Sequence, residues 1–280
     1  MPTPDEQVLP GSAGTSLGID LERRLDRVEQ VLRGGAFQPP PDDLHPTGDG
    51  DYFMIGLEFL RHFVECGGLE PGDKVLEIGS GLGRMALPLA CFLEDGEYIG
   101  VEISRASVDW CTRHITSGFP NVGFSFLDIR HPLYNPAGTV VVDRSFRFPY
   151  EDAQFGFVFL TSVFTHLTRF EVKKYLTEIR RLLKPGGRLF ATFFIAPAEH
   201  EGAFESFDQR FRFEQSSLHN TYYSAPPHPL AAVAYDEAFI LTMLKRLAFG
   251  PEVQVHRGAW HSGESAMGNF QDMIVATRGD

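Results

Sequence analysis

Gly79-Ser80-Gly81-Leu82-Gly83 places glycine at every second position, directly behind the apolar run Val75-Leu76-Glu77-Ile78. Glycine lets the backbone turn sharply and lets a ligand approach the main chain closely. A bare strand-to-helix turn also selects glycine, so the residues further along decide what the turn is for. Glu102, followed by Ile103, ends the next apolar run, where a carboxylate can take both hydroxyls of a ribose. Asp128, followed by Ile129, ends a third; a carboxylate there can accept from an adenine amino group or, equally, cap a turn. His166, in Thr165-His166-Leu167, follows a fourth. Its ordinary pKa suits proton transfer near neutral pH, yet a histidine there can equally pack a helix start and bond a backbone carbonyl. Arg84 stands where the dinucleotide fingerprint needs its third glycine, which disfavours NAD.

These residues need strand ends to carry them, and the pattern supplies them. Strands are predicted over Lys74–Ile78, 98–101, 122–127, 156–160 and 188–194, with helical spacing over 82–92, 104–117 and 169–183 between them. That alternation means βαβ units: an α/β fold with a doubly wound, mostly parallel, seven-stranded sheet. A helix over 236–247 and strands over 253–258 and 272–277 close it with a terminal antiparallel hairpin. Residues 197–235 are too long for an ordinary connection and form a candidate lid, rich in aromatic and hydrogen-bonding side chains such as His200, Glu201, Phe204, Phe207, Asp208, His219, Tyr222 and Tyr223. Tyr134-Asn135-Pro136, after the third strand, is a further candidate rim. Trp260 and His261 either line the pocket or close the sheet, with closure favoured for Trp260, since a large aromatic is usually core.

Upstream, residues 1–17 are rich in Pro, Gly, Ser and Thr and read as a disordered leader. Residues 18–50 hold an amphipathic helix, with Ile19, Leu21, Leu25, Val28, Val31 and Leu32 at helical spacing, and a Pro- and Asp-rich linker. The helix either docks on its own domain or makes a homodimer; its stripe is short for a coiled coil, which favours docking. The main domain runs over 51–280, beginning with a helix over 52–66.

Lys and Arg total 25 against 37 Asp and Glu, a formal net charge of −12. A phosphate backbone is repelled overall, so nucleic acid is not the expected partner. Cys66, Cys91 and Cys111 are odd in number, widely spaced and without a CxxC pair, which argues against a disulfide framework and against a metal site. With neither a signal-peptide pattern nor an apolar run of spanning length, the expectation is a soluble, cytoplasmic protein without membrane contact.

Glu77-x-Gly79-x-Gly81-x-Gly83, Glu102 and Asp128, in that order at successive strand ends, resemble the class I S-adenosylmethionine-dependent methyltransferases. The resemblance spans about residues 50–195, and the Leu183-Lys184-Pro185-Gly186-Gly187 turn is similar to the family's entry into its fifth strand. It implies S-adenosyl-L-methionine as cofactor, with Glu102 on the ribose, Asp128 and Ile129 on the adenine, and Glu77 with Gly79 at the methionine end. Tyr52 is expected to cover that end, or to serve as a hydrophobic staple. The family commonly has an acidic residue where Gly156 stands, so strand–loop fixation there is in question. The activity implied is methyl transfer to a small molecule, foremost to an oxygen of a natural product or sugar, with His166 as candidate base. Methylation of a protein or RNA, and a non-catalytic cofactor-binding scaffold, are the competing readings.

Overall fold

The computed structural model describes residues 16–35, 37–44, 50–198, 202–217 and 220–280. Residues 1–15 of the expected leader, and His200, Glu201 and His219 of the expected lid, lie outside them. Helix α1 (Ser16–Arg33) starts inside the stretch read as leader, and α2 (Tyr52–Glu65) is capped by the Asp51 carboxylate, which accepts from the Phe53 and Met54 amides. The alternating part follows as β1 (Lys74–Ile78), α3 (Ala86–Phe92), β2 (Glu97–Glu102), α4 (Arg105–Cys111), β3 (Val122–Phe126), β4 (Phe155–Leu160), α5 (Arg169–Leu182) and β5 (Leu183–Ile195).

The five strands pair in the order β3-β2-β1-β4-β5, all parallel. Beyond β5 the sheet is completed by β11 (Asp272–Arg278), antiparallel to β5, and β10 (Phe249–His256), antiparallel to β11. That is the seven-stranded, mostly parallel sheet with a terminal antiparallel hairpin expected from the pattern. One apolar cluster lies against α5 and α6 (Glu237–Arg246) on one face, and a second packs α1 to α4 on the other. Leu25, Val28 and Leu32 of α1 are buried in the second cluster. The apolar stripe of this helix is therefore spent on its own domain, with Val31 left exposed.

Several boundaries move, for local reasons. The helix expected from residue 82 begins only at Ala86, because Gly81 and Gly83 take φ of +52° and +75°, outside the α region. The helix after β2 passes at Thr112–Thr116 into a π turn that presses Ile115 toward Gly83. The place of the absent acidic residue at Gly156 is filled by a carboxylate from elsewhere in the chain. Asp73, just before β1, sets its Oδ1 where a Gly156 Cβ would collide with it, pairs with Arg188, and accepts from the Glu70 amide.

Residues 203–235 are a meander of their own: β6 (Ala203–Glu205), β7 (Arg212–Gln215), β8 (Thr221–Ser224) and β9 (Val233–Tyr235), each antiparallel to the next. β9 then runs parallel to the end of β5, with Phe194 opposite Ala234 and Ile195 opposite Tyr235. Along that edge of β5, β4 stops at Ala191 and β9 starts at Phe194. Phe204, Phe213 and Tyr222 pack with Phe194 and Trp260 into a third small core, so these aromatic residues serve the meander's own stability. Trp260, 1% exposed, donates its indole N–H to Asp272, which also accepts from the Ile195 and Gly258 amides.

Candidate active site

The carboxyl ends of β3, β2, β1 and β4 lie side by side, the edge at which open parallel sheets bind ligands. At β1, Gly79, Gly81 and Gly83 all take positive φ, which L side chains adopt only with strain. Gly79 is also closed sterically: a Cβ there would meet Val163 Cγ2 at 2.5 Å. Its amide and that of Ser80 donate back to the Val101 carbonyl, tying the turn to β2. Ser80 is 4% exposed and its hydroxyl has no partner among the described residues.

Glu102 binds the turn from the other side. Its Oε2 accepts from the Gly81 amide at 2.8 Å, and its Oε1 from the Ile103 and Ser104 amides at 2.7 and 2.8 Å. Burial pushes this carboxyl above its ordinary pKa, against the pull of the three amides. A carboxylate oxygen has two acceptor sites, so Oε2 keeps one for a further donor. Glu77, beneath the turn, is 2% exposed and accepts from the Tyr98 hydroxyl. Burial raises it to about 8, with the nearby Glu102 adding to the rise, so it is largely protonated at neutral pH. Tyr52, at the start of α2, donates its hydroxyl to the Leu82 carbonyl at 2.7 Å, which seats its ring on the same turn.

Asp128 organises the loop behind β3. Oδ1 accepts from the Asn135 amide nitrogen at 3.0 Å, and Oδ2 from the backbone and hydroxyl of Thr139 at 3.1 and 2.7 Å. These bonds, Thr139 first, hold the carboxyl below its ordinary pKa. Oδ1 retains an acceptor site, so fixing this loop and meeting a ligand donor are compatible roles. Ile129 is buried behind it and bridges to Val140.

His166 sits at the end of a 3-10 turn, Phe164–His166, after β4. Its Nδ1 lies 3.1 Å from the Leu230 carbonyl, which can only accept, so Nδ1 carries the proton and Nε2 the lone pair. Nε2 is 3.3 Å from the Tyr134 hydroxyl. Burial lowers the His166 pKa, so the ring is neutral at pH 7 with its basic nitrogen turned toward Tyr134. His131 stacks on Tyr134 with ring centroids 5.0 Å apart and bonds the His166 carbonyl through Nε2 at 2.9 Å. The sequence pattern marks Tyr134 only as a rim residue and does not single out His131; the link is tertiary, through a loop whose course Asp128 sets.

A second polar cluster joins the turn after β4 to β5 and to the residue just before β11. The Thr192 hydroxyl accepts from the Ser162 amide at 2.8 Å and donates to Gln271 Oε1 at 2.6 Å, and Ser162 Oγ donates to the same oxygen at 3.2 Å. Ser162 holds φ +58°, a strained value for a residue with a side chain, and such strain tends to collect at functional turns. His261 is exposed and lies apart from this cluster in the hydrogen-bond network. Among the described residues no group of His, Cys, Asp and Glu is placed to hold a metal ion, and no helix is long and apolar enough to cross a membrane.

Residues 76–191 match a family described as a methyltransferase domain. A fatty-acid O-methyltransferase from Mycolicibacterium smegmatis is 26% identical over 171 residues, covering 61% of this chain and 55% of that protein. A demethylmenaquinone methyltransferase from Symbiobacterium thermophilum is 27% identical over 129 residues, 46% of this chain and 45% of that one. The chain thus spans about half the length of the curated relatives it matches. Among solved structures, the CcbJ methyltransferase from Streptomyces caelestis superposes with a TM-score of 0.52 at 16% identity, over 85% of this chain and 96% of that one. At that identity the likeness concerns the fold.

Proposed function

We propose, from the premise that this chain carries a domain of the class I S-adenosylmethionine-dependent methyltransferase family over residues 76–191, that the protein transfers a methyl group from S-adenosylmethionine to an oxygen of a small organic molecule. The observation that carries the reading is the glycine turn clamped between the Val101 carbonyl and the Glu102 carboxylate, with a buried, unpartnered Ser80 hydroxyl beside it. A mere strand-to-helix turn has no need of three positive-φ glycines, a buried carboxylate with spare acceptor capacity and an orphaned hydroxyl together.

In this reading Glu102 takes the ribose hydroxyls, and Ile103 holds the backbone behind it. Asp128 and Ile129 meet the adenine, while Glu77, Gly79 and Ser80 face the methionine end, with Gly81 and Gly83 giving the backbone its close approach. Tyr52 closes that end, since its hydroxyl already rests on the Leu82 carbonyl. The cofactor, when bound, supplies a methyl group already activated on a sulfonium. The protein's share is to align the acceptor, exclude water and take up a proton. His166 is suited to proton uptake, because its Nδ1–H is fixed by Leu230 and Nε2, facing the Tyr134 hydroxyl, can take up the proton of the acceptor hydroxyl by way of Tyr134. A small acceptor is consistent with the −12 net charge and with the fatty-acid and demethylmenaquinone enzymes among the relatives.

The decisive experiment is calorimetric titration with S-adenosylmethionine, followed by mass detection of methylated product from hydroxylated aromatics, sugars and fatty acids. Failure to bind the cofactor sinks the reading; binding without any product across those acceptors favours a scaffold instead.

A further inference from the structure

Between α5 and α6, with Asn220 just before β8 and Asp236 just after β9, lies an open cavity of about 260 Å³. Its cationic wall is Arg169, Lys173 and Arg246. Such a grouping is unusual in a chain of net charge −12. Among the described residues none of the three has a carboxylate partner, and the charges that act on Lys173 are the other two cations. Among the described residues the buried Arg169 Nε has no hydrogen-bond partner, and neither has Oδ1 of Asn220, which also lines the cavity. The floor is the ring of Phe239, with the Arg169 guanidinium 4.9 Å and the Lys173 ammonium 5.9 Å from its centroid. Asp236 also borders the cavity; its carboxylate accepts from the Tyr222 hydroxyl at 2.8 Å and keeps its charge, so the lining carries three cations against one anion.

Three cations against one carboxylate leave the lining net positive, and a buried, unsatisfied guanidinium N–H costs stability unless an acceptor answers it. A planar guanidinium matches a tetrahedral oxyanion through two parallel N–H donors, and an ammonium adds a point charge. The Asn220 Oδ1 is an acceptor only and calls for a donor on the same ligand, such as a hydroxyl. We infer that this cavity is a binding site for a phosphate monoester carrying a hydroxyl next to its phosphate, separate from the cofactor crevice. The phosphate lies among Arg169, Lys173 and Arg246, and the hydroxyl donates to Asn220. Phe239 also stacks on Tyr235, whose hydroxyl donates to the carbonyls of Phe164 and Leu167 on either side of His166, so occupancy would bear on the turn that presents the candidate base.

The test titrates the full chain by calorimetry with glycerol 3-phosphate and with inorganic phosphate, each against chloride at matched ionic strength. Saturable one-site binding is expected, tighter for glycerol 3-phosphate. Arg246→Glu, at an exposed position, should weaken it by about tenfold or more, as expected for losing a charge-assisted contact. Lys245→Glu makes the same charge change one residue away, outside the cavity, and should shift affinity by no more than about twofold. Asn220→Ala should erase the preference for glycerol 3-phosphate. No saturable binding overturns the site, and so does an equal loss in Arg246→Glu and Lys245→Glu, which would mark a diffuse field. Equal affinity for the two ligands in the unaltered protein overturns the role given to Asn220.

Discussion

The Tyr98 hydroxyl donates to the Glu77 carboxyl directly beneath the glycine turn, and the pair is closed off from solvent. A carboxyl so buried prefers its proton, and its pKa of about 8 stands far above the ordinary 4.5. The folded chain therefore keeps a proton between those values that the unfolded chain releases. In that window folding stability falls as pH rises, and above it the cost is constant. Glu77→Gln stays neutral throughout. Thermal melts should show wild type losing Tm relative to this variant between about pH 5 and 8; a gap that does not change with pH would refute the assignment.

Gly79 joins a φ of +83° to a missing Cβ that would lie 2.5 Å from Val163 Cγ2. Gly79→Ala should cost roughly 1–3 kcal/mol in chemical denaturation, the range for residues forced into sparse backbone regions. Cofactor affinity should drop with it, because the turn must shift to admit the methyl. A variant of unchanged stability and unchanged affinity would show that the turn is not held as described.

His166 has its pKa lowered by burial, so the acid limb of kcat/KM should fall below pH 6.5, the group's ordinary value, with the neutral ring active above it. His166→Ala should reduce kcat by about 10²–10⁴ while leaving cofactor affinity intact. Tyr134→Phe should lower kcat less and displace that limb. Normal turnover in His166→Ala, with normal cofactor binding, would remove the residue from the mechanism.

Leu25 is 1% exposed in the core that α1 shares with α2 and α3. Leu25→Ala should destabilise the chain by about 2–5 kcal/mol, the usual cost of emptying a packed leucine site. If α1 instead worked chiefly as a dimer contact, sedimentation rather than denaturation of the monomer would respond.

The sheet and the strand ends that carry Gly79, Glu102 and Asp128 were legible because they depend on local signals. Apolar runs of strand length ending in Gly79, Glu102 and Asp128 declare both the strand and what its end presents. Helix starts were less legible: Gly81 and Gly83 shift α3 to Ala86 through their backbone conformations, which composition alone does not reveal. The candidate lid was legible as an insertion but not as a meander. Its strands have three or four residues, too short for periodicity to register, and Phe204 and Tyr222 look alike whether they face a ligand or each other. The Tyr134–His166 contact and the pairing of Asp73 with Arg188 across the Gly156 gap join residues far apart in the chain, and no spacing rule announces them.

β5 is thirteen residues long and is shared by both sheets. Its first part is in register with β4, its end with β9, and β11 spans the junction along the other edge. It works as a common ruler: the parallel strands and the meander are indexed to the same ladder of amides. One residue inserted near Thr192 would turn Phe194 from the meander's core to the opposite face while leaving every glycine of the turn in place. The meander is accordingly less a hinged flap than a wall built on the sheet's own foundation, and reshaping it calls for changes within its loops, not in the strand that carries it.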